Sequence, residues 1–143
     1  MAFNWLIAGT DAHAKNYSLL IGAEGRSRLA PLYDITSILP YDFDLQRARF
    51  AMKIGGEYRL RDVGPRQWQR LAADLRLDRG ALFERLRDMA RALADNVSDI
   101  RRAAEREGLD HPLIARLSDA LVARARRCLE AIDIGIAATP SGS

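Results

Sequence analysis

The chain has 143 residues, 48% of them hydrophobic and 29% charged, which suits one globular core and excludes disorder as its main state. Twenty-two Lys and Arg stand against nineteen Asp and Glu, a net charge of only +3. A lone Cys excludes an internal disulfide and suits a reducing cytoplasm, while no apolar run of about 18 residues supports a membrane span. Met1 to Thr10 also lacks the basic start of a signal peptide.

The first segment, Asn4 to Thr10, reads as the end of an apolar helix closed by Gly9, which delivers Asp11 onto a loop. Asp11-Ala12-His13-Ala14-Lys15-Asn16 follows, and Asp34 lies eighteen residues beyond Asn16. An Asp and an Asn five apart with a later Asp is the spacing with which kinases arrange a base and two magnesium ligands. A carboxylate accepts or orients the proton of an attacking hydroxyl. An amide oxygen and a second carboxylate suit Mg²⁺, a hard ion that bridges nucleotide phosphates. Between these residues, Tyr17 to Ile21 reads as a short buried strand and Gly22 to Gly25 as a turn. Arg28 to Tyr33 reads as a second extended segment leading to Asp34. Singly, each residue has a plainer reading. Asp11 can cap a turn, a loop His can satisfy a carbonyl, an exposed Lys is solvated, and Tyr33 fits a core position. The base and the two oxygen ligands, taken as a set, point to phosphoryl transfer.

Asn4 to Ser18 resembles the catalytic loop of the HipA-like serine/threonine kinases of bacterial toxin–antitoxin modules. Leu29-Ala30-Pro31-Leu32-Tyr33-Asp34 resembles their metal-binding loop, and Ala51 to Gly56 the segment after it. The Asp-x-His-x-x-Asn order is also similar to the loop of phosphoinositide 3-kinases. The resemblance implies Asp11 as proton acceptor, His13 facing the γ-phosphate and Lys15 neutralising phosphate charge. It implies Asn16 and Asp34 as Mg²⁺ ligands, and a backbone contact from Tyr33 to nucleotide. ATP is then the co-substrate, a protein hydroxyl the acceptor and a DNA-binding antitoxin a partner. The family also has an amino-terminal nucleotide-binding lobe. Only ten residues precede Asp11, so no phosphate-covering Gly-rich loop or strand Lys fits there. The expectation is a carboxy-terminal kinase part over residues 1–138 with a flexible tail at 139–143, inactive alone. Apolar surface around Trp5, Leu20 and Leu32 is expected to be uncovered.

Further on, Arg49 to Ile54 alternates as a strand, and Glu57 to Arg61 can pair with it across Gly55-Gly56. From Pro65 the pattern is helical. Trp68, Leu71, Ala72 and Leu75 share one spacing, and Asp78 can cap a helix carrying Leu82, Leu86, Met89, Leu93, Val97 and Ile100 up to Gly108. Asp110 can cap a last helix from Pro112, with Leu113, Leu117, Leu121, Cys128 and Ile132 along one side. The predicted fold is therefore mainly α, a helical kinase C-lobe-like unit with a short β-hairpin or two near the catalytic loop. Ten arginines of the last helices, Arg124 among them, form a candidate phosphate stripe, but interleaved acids favour a solvated face over direct DNA contact. The alternative function is a helical module that docks an antitoxin or DNA and keeps a relic kinase motif.

Overall fold

In the computed structural model, residues 1–137 are described; the predicted tail at 139–143 lies outside them. Helix α1 (Ala2–Leu6) leads through the loop and a 3₁₀ turn (Ala14–Asn16) into β1 (Leu19–Ile21). A second 3₁₀ turn precedes β2 (Ser27–Leu29), and a long irregular segment runs from there to β3 (Arg49–Ile54) and β4 (Glu57–Arg59). Helices α2 (Pro65–Asp74), α3 (Arg79–Arg106) and α4 (Pro112–Ala137) complete the order. The fold is mainly helical with two small antiparallel sheets, β1-β2 and β3-β4.

Local chemistry explains most boundaries. Pro65 opens α2, where its missing N–H costs nothing. Asp78 caps α3 by accepting from Ala81 N at 2.7 Å. Gly108, at φ 84°, lies just past the end of α3. The last helix departs from expectation: His111 rather than Asp110 caps it, with Nδ1 accepting from Leu113 N at 3.1 Å. Gly55 and Gly56, at φ 54° and 86°, make the tight turn between β3 and β4. A Cβ on Gly55 would lie 1.9 Å from the Gln67 carbonyl oxygen, so α2 packs where only glycine fits.

The core is built where α1, the β3-β4 hairpin and the three long helices meet. Trp5, Leu6, Phe50, Ile54, Trp68, Phe83, Leu86 and Ile132 are its bulk. Trp5 and Trp68 meet edge to face at 5.5 Å, and Trp5 Nε1 donates to Val63 O at 3.2 Å. Trp5 is 2% exposed, so it is not the uncovered surface residue expected from sequence: the third and fourth helices enclose it. Leu20 and Leu32 are exposed as expected. The β1-β2 hairpin also corrects the reading of a buried strand. Leu19, Leu20 and Ile21 are all exposed, so both faces of this two-stranded sheet lack cover among the described residues.

The long helices place their apolar residues unevenly. Leu86 and Val97 are buried, Leu82, Met89 and Leu93 partly so, and Ile100 is exposed beyond the packed end of α3. On α4, Ala125, Cys128 and Ile132 face the core. Among the described residues, four arginines on these helices form ion pairs: Arg87 with Asp133, Arg101 with Glu105 and Asp119, Arg102 with Asp99, and Arg116 with Asp42. No described helix is long and apolar enough to cross a membrane.

Candidate active site

Helix α1 has five residues, too few to be stable alone, so tertiary bonds must hold the loop that leaves it. Its end is a left-handed reversal in which Gly9 N donates to Asn4 O at 2.7 Å. The left-handed residue is Ala8 (φ 53°), not the expected Gly9. Glycine at position 9 is needed for close approach instead: a Cβ there would lie 3.0 Å from Thr36 O and 3.2 Å from Asn4 Oδ1. The remaining carbonyls find partners far along the chain. Ser37 Oγ donates to Ile7 O at 2.6 Å, and Ala51 N donates to Thr10 O at 3.0 Å. Arg124 reaches Trp5 O with both Nε (3.2 Å) and a terminal nitrogen (2.6 Å). Burial lowers the Arg124 pKa, yet a guanidinium remains charged. Its charge sits at the carbonyl end of α1, where the helix dipole favours a cation. The backbone just before Asp11 is thus fixed from three directions.

Asp11 itself is exposed, with no hydrogen bond or ion pair to any described residue. His13 is half-buried, and its Nδ1 is buried without a hydrogen-bond partner among the described residues. Lys15 is exposed. Asn16 is 7% exposed and is the polar centre of the loop. Its Oδ1 accepts from His13 N at 3.0 Å, and its Nδ2 donates to Asp34 Oδ2 at 2.7 Å. The hairpin between them folds the chain back so that residues eighteen apart touch. Asp34 has φ 55°, a left-handed conformation uncommon outside glycine and found at functional turns.

Tyr33 is not in the core as its apolar ring suggested; it is 47% exposed. Its hydroxyl donates to Lys15 O at 2.6 Å and lies 3.1 Å from Ser18 Oγ. It therefore ties the loop of Asn16 to the loop of Asp34 through the backbone. Tyr17 plays a similar part at α1, where its hydroxyl accepts from Asn4 Nδ2 at 3.3 Å. Sequence reasoning did not single out Tyr17, Ser37 or Arg124 as positioning residues. For Arg124 no local signal exists, because its partner is 119 residues away.

The structure brings Asn16, Asp34, His13 and Tyr33 together and leaves Asp11 and Lys15 free at the rim. Among the described residues, no cluster of three or more His, Cys, Asp or Glu side chains suits a metal on its own. One carboxylate and one amide oxygen instead suit Mg²⁺, which takes one or two carboxylates and completes its shell with phosphates and water. The donor set fits that ion and would not suit zinc.

Comparison with known proteins identifies the family and the fold. The HipA-like C-terminal domain family matches residues 1–98. Among curated proteins, the chain is 28% identical over 124 residues to "Putative kinase Y4mE" of Sinorhizobium fredii, covering 87% of this chain and 29% of that protein. Among solved structures, it is similar to a chain of the Shewanella oneidensis MR-1 toxin–antitoxin complex of HipA, HipB and operator DNA. The TM-score is 0.74 at 28% identity, covering 96% of this chain and 32% of that chain. This chain therefore spans about a third of the length of the proteins it matches. The chain belongs to the HipA-like C-terminal domain family.

Proposed function

We propose that this chain is the catalytic and metal-binding part of a serine/threonine protein kinase of the HipA-like type. The observation that carries this reading is the 2.7 Å contact between Asn16 and Asp34, which puts the two candidate Mg²⁺ ligands side by side on a pinned loop. When bound, Mg²⁺ supplies charge neutralisation to the phosphates of ATP. Asp11 accepts the proton of the attacking hydroxyl; its exposure leaves the carboxylate accessible to an incoming side chain. His13 and Lys15 meet phosphate oxygens, Lys15 through its exposed side chain and His13 through the open edge of its half-buried ring rather than the buried Nδ1. Tyr33 fixes the distance between the Asp11 loop and Asp34 through Lys15 O.

The surfaces that cover the phosphates and hold adenine come from residues outside these 143 or from another chain. Two observations support this: the chain spans 29% of its curated relative, and the β1-β2 hairpin beside the site is apolar and exposed on both faces. Such a hairpin is marginal without cover. A toxin role with a DNA-binding antitoxin as partner is part of the same proposal, supported by the HipA–HipB–DNA assembly of the structural match. The decisive experiment is a phosphorylation assay with the full-length parent protein and Mg-ATP. Transfer to a protein Ser or Thr that is lost in Asp11→Ala supports the reading; its absence in the wild-type protein refutes it.

A further inference from the structure

Beside the site, the β3-β4 hairpin breaks a rule of sheet design. Arg49 and Arg59 are direct cross-strand partners, and like charges placed opposite each other destabilise a sheet. Arg47 and Arg61 extend the same cluster, and the four guanidiniums line one open depression of about 360 Å³ with Asp44 and Gln46. The carboxylates at hand do not balance them. Asp44 pairs with Arg47 at 3.5 Å, and Asp62 is shared between Arg61 at 3.5 Å and Arg59 at 4.0 Å. These exposed pairs are worth little. Arg49 makes no close ion pair among the described residues and lies over the Tyr58 ring at 5.4 Å, with the Glu57 charge acting on it only at longer range. Glu57, the nearest other acid in sequence, is bound through Oε1 to the backbone N–H groups of Tyr58 and Arg59 at 2.8 Å. These contacts offset the like-charge pair only in part, and a local conflict left in place at a surface points to function.

The position of the cluster says which function. Ala51 N bonds Thr10 O, so β3 lies directly against the residue before Asp11. Arg49 is two residues from Ala51 on the same exposed face, about 7 Å along the strand. The segment containing Arg47 is also the chain that leaves Asp34. The cluster is thus joined to both loops of the candidate site. Resting on the kinase reading above, we propose that Arg47, Arg49, Arg59 and Arg61 form a docking site for an acidic segment of the protein substrate, placed a few residues from the hydroxyl presented to Asp11. Forked guanidiniums match carboxylates two bonds at a time, which fixes register as well as adding affinity. A nucleic-acid backbone is the less fitting partner, because Asp44 and Asp62 interrupt the patch.

Binding tests this without any catalysis, so its failure is separable from failure of the kinase reading. The probe is a short fluorescent peptide with one Ser flanked by Glu residues, compared with the same peptide carrying Gln. The 143-residue chain should bind the Glu peptide at low salt and lose affinity as salt rises. Arg49→Glu should weaken it by about tenfold or more. That variant should keep or raise the melting temperature, because it turns the Arg49–Arg59 conflict into an opposite-charge pair. Where it fails to fold, the Arg47→Gln/Arg61→Gln double variant gives the same readout. Equal binding of Glu and Gln peptides, or unchanged affinity in the variants, overturns the proposal. So does duplex DNA that binds the chain tighter than the Glu peptide and is lost in the same variants.

Discussion

Asn16 Nδ2 donates to Asp34 Oδ2 at 2.7 Å, and this bond joins the two loops on which the proposed chemistry depends. Asn16 is buried and holds its own loop through His13 N, whereas Asp34 is exposed. Asn16 therefore holds the loop in place whatever its part in the proposed chemistry, while Asp34 stays open to solvent.

Asp11 and Asp34 should fail in different ways. In the full-length protein, Asp11→Ala should reduce phosphoryl transfer by about 100-fold or more, the scale of a lost general base. It should leave Mg-ATP affinity largely intact, because its carboxylate contacts no described residue. Asp34→Ala should weaken Mg-ATP binding as well as transfer. Calorimetry and a transfer assay on both variants check this; equal losses of nucleotide affinity would overturn the roles.

The isolated 143-residue chain should not work as a kinase. On the proposed reading Asn16 and Asp34 would hold Mg²⁺ only weakly, and positioning supplies much of the rate in this reaction class. With the β1-β2 hairpin uncovered on both faces, the nucleotide lacks a wall. Calorimetry with Mg-ATP and a phosphorylation assay on this chain should both be negative; micromolar binding with turnover would contradict the expectation.

Gly55→Ala should cost about 3 kcal/mol or more, from left-handed strain plus a clash with the Gln67 carbonyl. Gly25→Ala is the control. Gly25 also has positive φ, 73°, but open space around it, so the cost should be about 1 kcal/mol. Urea denaturation of the two variants separates strain from close packing, and equal costs would show that packing against α2 does not matter.

Arg124→Ala should destabilise the fold by about 1–3 kcal/mol, because it removes a charged donor from a buried carbonyl at the end of α1. Arg124→Lys should rescue only part, since an ammonium cannot reproduce the fork. In the full-length protein, activity should fall further than stability alone explains, as the Asp11 loop loses one of its three anchors. Chemical denaturation and kcat together read this out.

Cys128 should make stability depend on alkaline pH. Burial pushes its thiol pKa up, and Arg124 and Arg127 offset only part of that. The folded chain then holds the proton longer than the unfolded one. The contribution is complete below the unfolded value, about 8.5, and is lost as pH rises through the raised folded value. Wild-type stability should therefore drop more steeply above that range than that of Cys128→Ala. Parallel slopes of unfolding free energy against pH would exclude the effect.

Local signals were enough for the three long helices, the Asp78 cap and the Gly55-Gly56 hairpin, because each is set by residues within a turn or two of one another. The Asp11, Asn16 and Asp34 spacing was legible for the same reason: it is a pattern along the chain. Contacts across the chain were not. Alternation cannot show whether an apolar strand has a covering partner, so Leu19 to Ile21 read as buried although exposed. An arginine on a helix reads as solvated until its carbonyl is known, so Arg124 was grouped with a surface stripe although it holds Trp5 O. Tyr33 read as core from its ring, yet its hydroxyl is what the fold uses. Even the reversal after α1 falls one residue early, with the left-handed turn on Ala8 and Gly9 serving the close approach to Thr36. Composition and spacing name the groups that can react. Only packing between distant segments decides which of them are held, which are free, and how far apart they stand.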